Sequence, residues 1–203
     1  MKAKFKLTDE YKINAFGVRL FRIEATVDIE ARGVKKGEKG GFVEKEENLF
    51  GNAWVYGNAG VSGNARVYDD AEVRGNARVY DDAEVYGDAR VYDDAQVYGD
   101  AWVYGNARVY GNAGVSGNAR VYDDAEVRGN AWVSGNKHYT KGWFIGGDDT
   151  GKITNVTDQM GTGYWKAQYV LGDYDITDKI PEKKENPKEI QIDGATYVLR
   201  EDK

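Results

Sequence analysis

From Gly51 to Ser134 the chain repeats a six-residue unit fourteen times, with no insertion or deletion. The unit reads Gly or Asp, Asn or Asp, Ala, a variable residue, Val, and then Tyr, Ser or Arg. Ala occupies every third position from Ala53 to Ala131, and Val every fifth from Val55 to Val133. Two looser units precede these, with Val43 and Leu49 in the Val position, which makes sixteen units over residues 39–134. Residues 55–77 and 109–131 are identical, at an offset of 54.

Alternation within Ala-x-Val-x predicts a short strand, because successive side chains on a strand point to opposite faces. Ala and Val then share one side, and the fourth and sixth positions share the other. Gly-Asn, Gly-Asp or Asp-Asp supplies a turn, since these residues tolerate the left-handed backbone. So short a strand cannot bury its Val and Ala alone, whereas stacking successive strands does, which is the logic of a solenoid. Helical spacing fails, because Val recurs every six residues and Ala stands two before it.

The Val-x-Gly-Asn-Ala-x pattern over 39–134 resembles the hexapeptide repeat of left-handed β-helices, in which three units make one triangular coil of eighteen residues. The resemblance implies an all-β fold: a left-handed parallel β-helix, a triangular solenoid of about five coils with β-rich N- and C-terminal caps. An offset of 54 is three such coils, so the duplicated segments fall on the same faces about 14 Å apart. The string from Leu20-Phe21-Arg22-Ile23 through Lys36-Gly37-Glu38-Lys39-Gly40-Gly41-Phe42-Val43-Glu44 is similar to the N-terminal segment of uncharacterised phage and prophage hexapeptide-repeat proteins. That likeness implies a phage context, hence the cytoplasm of a host cell, more than an activity.

Eighteen residues per coil assign three outer faces. The first carries Tyr68, Tyr86, Tyr104 and Tyr122 beside Arg66, Glu84, Trp102 and Arg120. The second carries Tyr56, Arg74, Tyr92, Tyr110 and Arg128 beside Trp54, Glu72, Arg90, Arg108 and Glu126, which predicts Glu72 next to Arg90 and Arg108 next to Glu126. The third is smaller: Ser62, Tyr80, Tyr98, Ser116 and Ser134 beside Gly60, Arg78, Gln96, Gly114 and Trp132. Such ladders have two readings. They stabilise neighbouring rungs by roughly 0.2–1 kcal/mol per pair, or they form a contact surface, since Tyr, Trp and Arg are enriched at interfaces. The repeats hold no Thr, so a Thr ladder of the ice-binding kind is excluded.

Charge sharpens the second reading. The formal charge of the 203 residues is -6. Residues 51–134 hold seven Arg and no Lys against ten Asp and three Glu, so the whole excess sits on the repeats. An acidic chain is not expected to bind nucleic acid directly or to sit on an anionic membrane. The aspartates fall at corners: Asp69, Asp70 and Asp88; Asp81, Asp82 and Asp100; Asp93 and Asp94; Asp123 and Asp124. Asp is a good turn residue; a rigid acidic rod also complements a basic, DNA-binding cleft. The partner-binding candidates are therefore Tyr68, Tyr86, Tyr104, Tyr122, Trp102, Asp69, Asp70, Asp88, Asp81, Asp82 and Asp100. The expected partner is a protein, with a nucleic-acid-binding host protein such as a defence nuclease as the most concrete case; self-association as a trimer or dimer is the alternative.

Chemistry is sparse. No cysteine and one histidine remove disulfides, thiolate nucleophiles and a multi-histidine metal site. The calcium-loop spacing D-x-D-x-D-G is absent from the repeats, and no metal or cofactor is expected. Many left-handed β-helix proteins are trimeric acyltransferases with a histidine base, and His138 is the one histidine that this resemblance can point to. It stands just past the last intact unit, and the uninterrupted repeats leave no projecting loop to build an acceptor pocket. Gly146 to Lys152 nearly spells a phosphate loop but is followed by Ile153 where Ser or Thr would hold magnesium, and it reads as a hairpin turn. The expected function is thus a non-catalytic interaction or scaffold protein; the alternatives are an acyltransferase and a structural component of a virion. The opening residues Met1 to Glu10 lack the apolar run of a signal peptide, and no stretch is long enough to span a membrane.

Outside the repeats the expected organisation is an N-terminal cap over 1–38, the β-helix over 39–136, a small antiparallel cap over 137–177, a linker over 178–188 and a C-terminal hairpin over 189–203 turning at Asp193-Gly194.

Overall fold

The computed structural model describes residues 3–136 and 138–147, together with the strands Ile153–Val156, Gln168–Val170, Glu189–Ile192 and Ala195–Val198. Residues 148–152, the middle of the phosphate-loop-like segment, and the linker 178–188 lie outside the described residues.

Each repeat unit makes one short strand of its fourth and fifth positions, such as Glu84–Val85 or Trp102–Val103; one, Glu126–Arg128, runs on to the sixth. The strands lie parallel to those eighteen residues on, except that Glu126–Arg128 pairs seventeen residues on with Trp143–Gly147: Trp102 is registered between Glu84 and Arg120, and Val103 between Val85 and Val121. Val67 and Val85 are likewise vertical neighbours. Three parallel ladders result, one per face. The backbone N–H groups reach up one turn, as Glu84 N–H donates to the Ala101 carbonyl at 2.9 Å and Tyr86 N–H to that of Val103 at 3.0 Å. Every Ala from Ala59 to Ala131 and every Val from Val55 to Val133 has no solvent exposure, so the two apolar positions of the unit fill the column from end to end.

The corners explain the Gly/Asp alternation at the first position. All the turns from Gly51 to Gly135 whose backbone angles are described open with a left-handed residue, at φ between 51° and 74°. Four of these are Asp69, Asp81, Asp93 and Asp123, and Asp is among the few residues that tolerate this region. Each stands one turn above a glycine; a Cβ on Gly63, for instance, would lie 2.9 Å from the Asp81 backbone oxygen.

The solenoid makes about six turns where the repeat alone predicts five. His138–Tyr139 pairs in parallel with Arg120–Val121, and Trp143–Gly147 with Glu126–Arg128. At the other end Lys39–Val43 and a bridge from Leu49 to Val67 complete the first turn. The sixth turn lacks the Gly-Asn-Ala signature but keeps the geometry: Tyr139 and Phe144 stand above Val121 and Val127, in the Val position.

Phe5–Ile13 (β1), Arg19–Ala25 (β2) and Lys39–Val43 (β3) form an antiparallel N-terminal extension of the third face's sheet. Phe5, Ile23, Ile29, Val34 and Leu49 close the bottom of the core. The hairpin also covers part of the third face. Leu20 lies over Gly60, where any Cβ would meet it at 2.9 Å, and Phe16 packs on Tyr80 with ring centres 5.2 Å apart. Ile153–Val156 pairs antiparallel with Trp143–Gly147, the last strand of the sixth turn, and Gln168–Val170 antiparallel with Ile153–Val156. Glu189–Ile192 and Ala195–Val198 pair antiparallel, and the expected turn at Asp193-Gly194 lies outside the described residues. Among the described residues no helix is long and apolar enough to cross a membrane.

Candidate functional site: a tyrosine face between two acidic corners

The first face is an ordered aromatic surface. Tyr68, Tyr86, Tyr104 and Tyr122 stack with ring centres 4.8 Å apart and planes within 4° of parallel. That spacing is the rung repeat itself, so the backbone ladder sets the ring separation. The tyrosines are half-buried against their neighbours, and their χ1 freedom is already spent before any partner arrives. Beside them Arg66 bonds Glu84, the Tyr68 hydroxyl donates to Glu84 Oε2 at 2.8 Å, and the Arg120 guanidinium lies 4.3 Å over the Trp102 ring.

The acidic residues flank this face on both sides. Chain order runs from the third face through a turn to the first, and from the first through a turn to the second. Asp81, Asp82 and Asp100 therefore mark one edge of the tyrosine face, and Asp69, Asp70, Asp88, Asp123 and Asp124 the other. The structure thus gathers all eleven partner-binding candidates onto one face and its two borders. The corners are laddered as well. Asn52 donates its amide to Asp70 at 3.1 Å, Asn64 to Asp82 at 3.1 Å and Asn118 to Asn136 at 2.9 Å. In these bonds the lower residue is the donor, so an Asp below breaks the ladder. Asp70 to Asp88 and Asp82 to Asp100 are such steps, two carboxylates deep.

One of these steps is already occupied. Arg32, from the short turn Glu30–Arg32 in the N-terminal cap, places Nη1 2.6 Å from Glu72 Oε1, with Nη2 3.6 Å from Asp70 and 3.9 Å from Asp88. Glu72 turns to Arg32 and to Arg74 (3.2 Å), rather than to the expected Arg90, which is its rung neighbour but makes no ion pair with it. The Arg32 guanidinium, with only a tenth of its side chain exposed, reaches Glu72 at 2.6 Å and takes the place of the rung arginine. Arg108 and Glu126 do pair, at 3.3 Å. Arg32 belongs to no repeat, and nothing in the pattern marks it.

His138 lies in the sixth turn above Arg120, its ring edge-on to Tyr122 at 6.4 Å. With Asp100, Trp102, Asn118, Arg120 and Asn136 it lines an open groove of about 410 Å³. Among the described residues no carboxylate or carbonyl hydrogen-bonds its ring, the contact that would orient it as a general base.

Residues 83–99 and 101–117 match the YdcK beta solenoid repeat. The two matches start one turn apart, on equivalent alanines of neighbouring coils, and they span the centre of the tyrosine face. Over these two turns the sequence profile agrees with the β-solenoid architecture. No curated protein matches it.

Burial pushes the Tyr68 hydroxyl well above the ordinary tyrosine range, and the bond to Glu84 adds to it. Burial raises Tyr86, Tyr104 and Tyr139 too. A raised folded-state pKa means that the solenoid's stability is whole below the unfolded tyrosine pKa of about 10 and declines as pH rises past it. Denaturation midpoints should hold up to that pH and then fall, while phenolate absorbance of the folded protein lags behind that of the denatured chain. Coincident titrations of the two states would contradict this account of the face.

Proposed function

We propose that this solenoid is a non-catalytic interaction protein that presents its tyrosine face and flanking acidic corners to a basic protein partner. The observation that carries the reading is the convergence of a pre-stacked aromatic ladder and two carboxylate borders on one face. Rigid aromatic surface lowers the ordering cost of association, and the borders supply long-range attraction. The most concrete form is occupation of a DNA-binding cleft, such as that of a host defence nuclease, which accords with the phage-like N-terminal segment and with action in the host cytoplasm.

The test is capture on the immobilised solenoid at an ionic strength of about 0.05 M, where surface charges act over roughly 14 Å. The expected result is retention of a basic protein that elutes with salt and whose nucleic-acid binding is blocked by equimolar solenoid. Retention of nothing at low salt, or of proteins that go on binding DNA unimpeded, would refute the reading.

A further inference from the structure

The acidic constellation that holds Arg32 occurs twice. Its first copy is Asp69-Asp70-Ala71-Glu72-Val73 with Asp88 one turn above Asp70. Twelve residues on, Asp81-Asp82-Ala83-Glu84-Val85 stands with Asp100 one turn above Asp82. The geometry is repeated with the sequence. Asp69 and Asp81 share the left-handed backbone, at φ 57° and 61°. Asp70 and Asp82 each accept an amide hydrogen bond at 3.1 Å from the asparagine one turn below. In the first copy the occupant is a guanidinium with only 10% of its side chain exposed.

The second copy has no such occupant. Among the described residues Asp82 and Asp100 form no ion pair, and Glu84 is engaged only by the exposed Arg66 and by Tyr68. One substitution between the copies bears directly on the ligand. The rung above Glu72 is Arg90, a cation; the rung above Glu84 is Trp102. The second copy thus exchanges a like charge for an aromatic face, which attracts a cation. Trp102 already carries one guanidinium, that of Arg120, and with Asp100 it lines the open groove.

We propose that Asp82, Glu84, Asp100 and Trp102 form a docking site for an arginine side chain of the protein partner, with Arg32 in the first copy as the intramolecular template. The inference rests on the partner-surface reading above and names the side chain that reading requires. Arginine is favoured over lysine because a planar fork spans two carboxylates on successive rungs, whereas an ammonium acts as a point charge.

The test titrates end-capped hexa-arginine and hexa-lysine peptides into the full chain at low salt. The variant is Asp82→Asn/Asp100→Asn, which the corner accommodates because Asn64, Asn118 and Asn136 already occupy its other rungs. The control is Asp93→Asn/Asp94→Asn, which removes the same charge from the corner between the second and third faces, away from the tyrosine face. The wild-type protein should bind hexa-arginine several-fold more tightly than hexa-lysine. The variant should lose about tenfold in hexa-arginine affinity, the effect of one charge-assisted contact, and the control no more than about twofold. Equal weakening by variant and control, or no preference for arginine, overturns the site. A captured partner that binds the variant as well as the wild type overturns the site and leaves the partner surface standing. Failed capture with the peptide pattern intact overturns the partner surface alone.

Discussion

An Arg32→Ala solenoid is expected to lose about 3 kcal/mol of unfolding free energy, the scale for removing one member of a buried ion pair. Arg32 is nine-tenths buried, and Glu72, which it meets at 2.6 Å, is nearly as covered. Without the guanidinium, Glu72 is left facing Asp70, with Asp88 on the rung above, and keeps only the partly exposed Arg74 as a counter-charge. Removing Asp88 alone should cost far less, because its carboxylate is exposed and 3.9 Å away. Arg32→Lys should recover only part of the loss, since one ammonium cannot serve two rungs. In a repeat protein each turn leans on its neighbours alone, so the loss should be local. Hydrogen exchange should quicken in the N-terminal cap and the first two turns and stay slow around Val103 and Val121. A loss below about 1 kcal/mol, the worth of an exposed pair, would show that Arg32 merely rests on the corner.

Arg32 also marks where sequence reading stops. Period six gives the strand, the turn and the inward Ala and Val, and three units per coil give every vertical pair on the three faces. These are local and repeated, so each unit confirms the last. The tyrosine ladder and the two acidic borders were legible for that reason: their positions follow from residue number alone. Arg32 comes from a non-repetitive segment that crosses forty positions of sequence to Glu72, and no periodicity announces such a contact. The same holds for the two identical Gly-Val-Ser segments on the third face. Gly60 is covered by Leu20 of the hairpin, whereas Gly114 is covered by Trp132 from the next rung, whose ring atoms would lie 2.8 Å from an added Cβ. Identical sequence thus serves two different closures, and Ser62 and Ser116 end up equally buried beneath them.

The sixth turn should depend on one side chain above all, and Phe144→Ala is expected to cost about 3–4 kcal/mol. Phe144 has no exposure and meets Tyr139 edge-on, with ring centres 4.4 Å apart. The two rings occupy the Val position of the sixth turn, and the strand Ile153–Val156 pairs antiparallel with the one that carries Phe144. Their sequence context, His138-Tyr139 and Trp143-Phe144, carries no trace of the repeat, which is why the turn is invisible to a search for Gly-Asn-Ala-x-Val. Truncating Phe144 opens a cavity that the rigid ladder below cannot collapse into. The defect should stay at that end: exchange should speed up at Val121, Val127 and Val133 and remain unchanged at Val67 and Val73. It should also reach function, because His138 and Asn136 wall the upper end of the groove beside Trp102. A Phe144→Ala protein that keeps full stability would mean that the sixth turn is an appendage, and that the column's apolar core ends at the last valine.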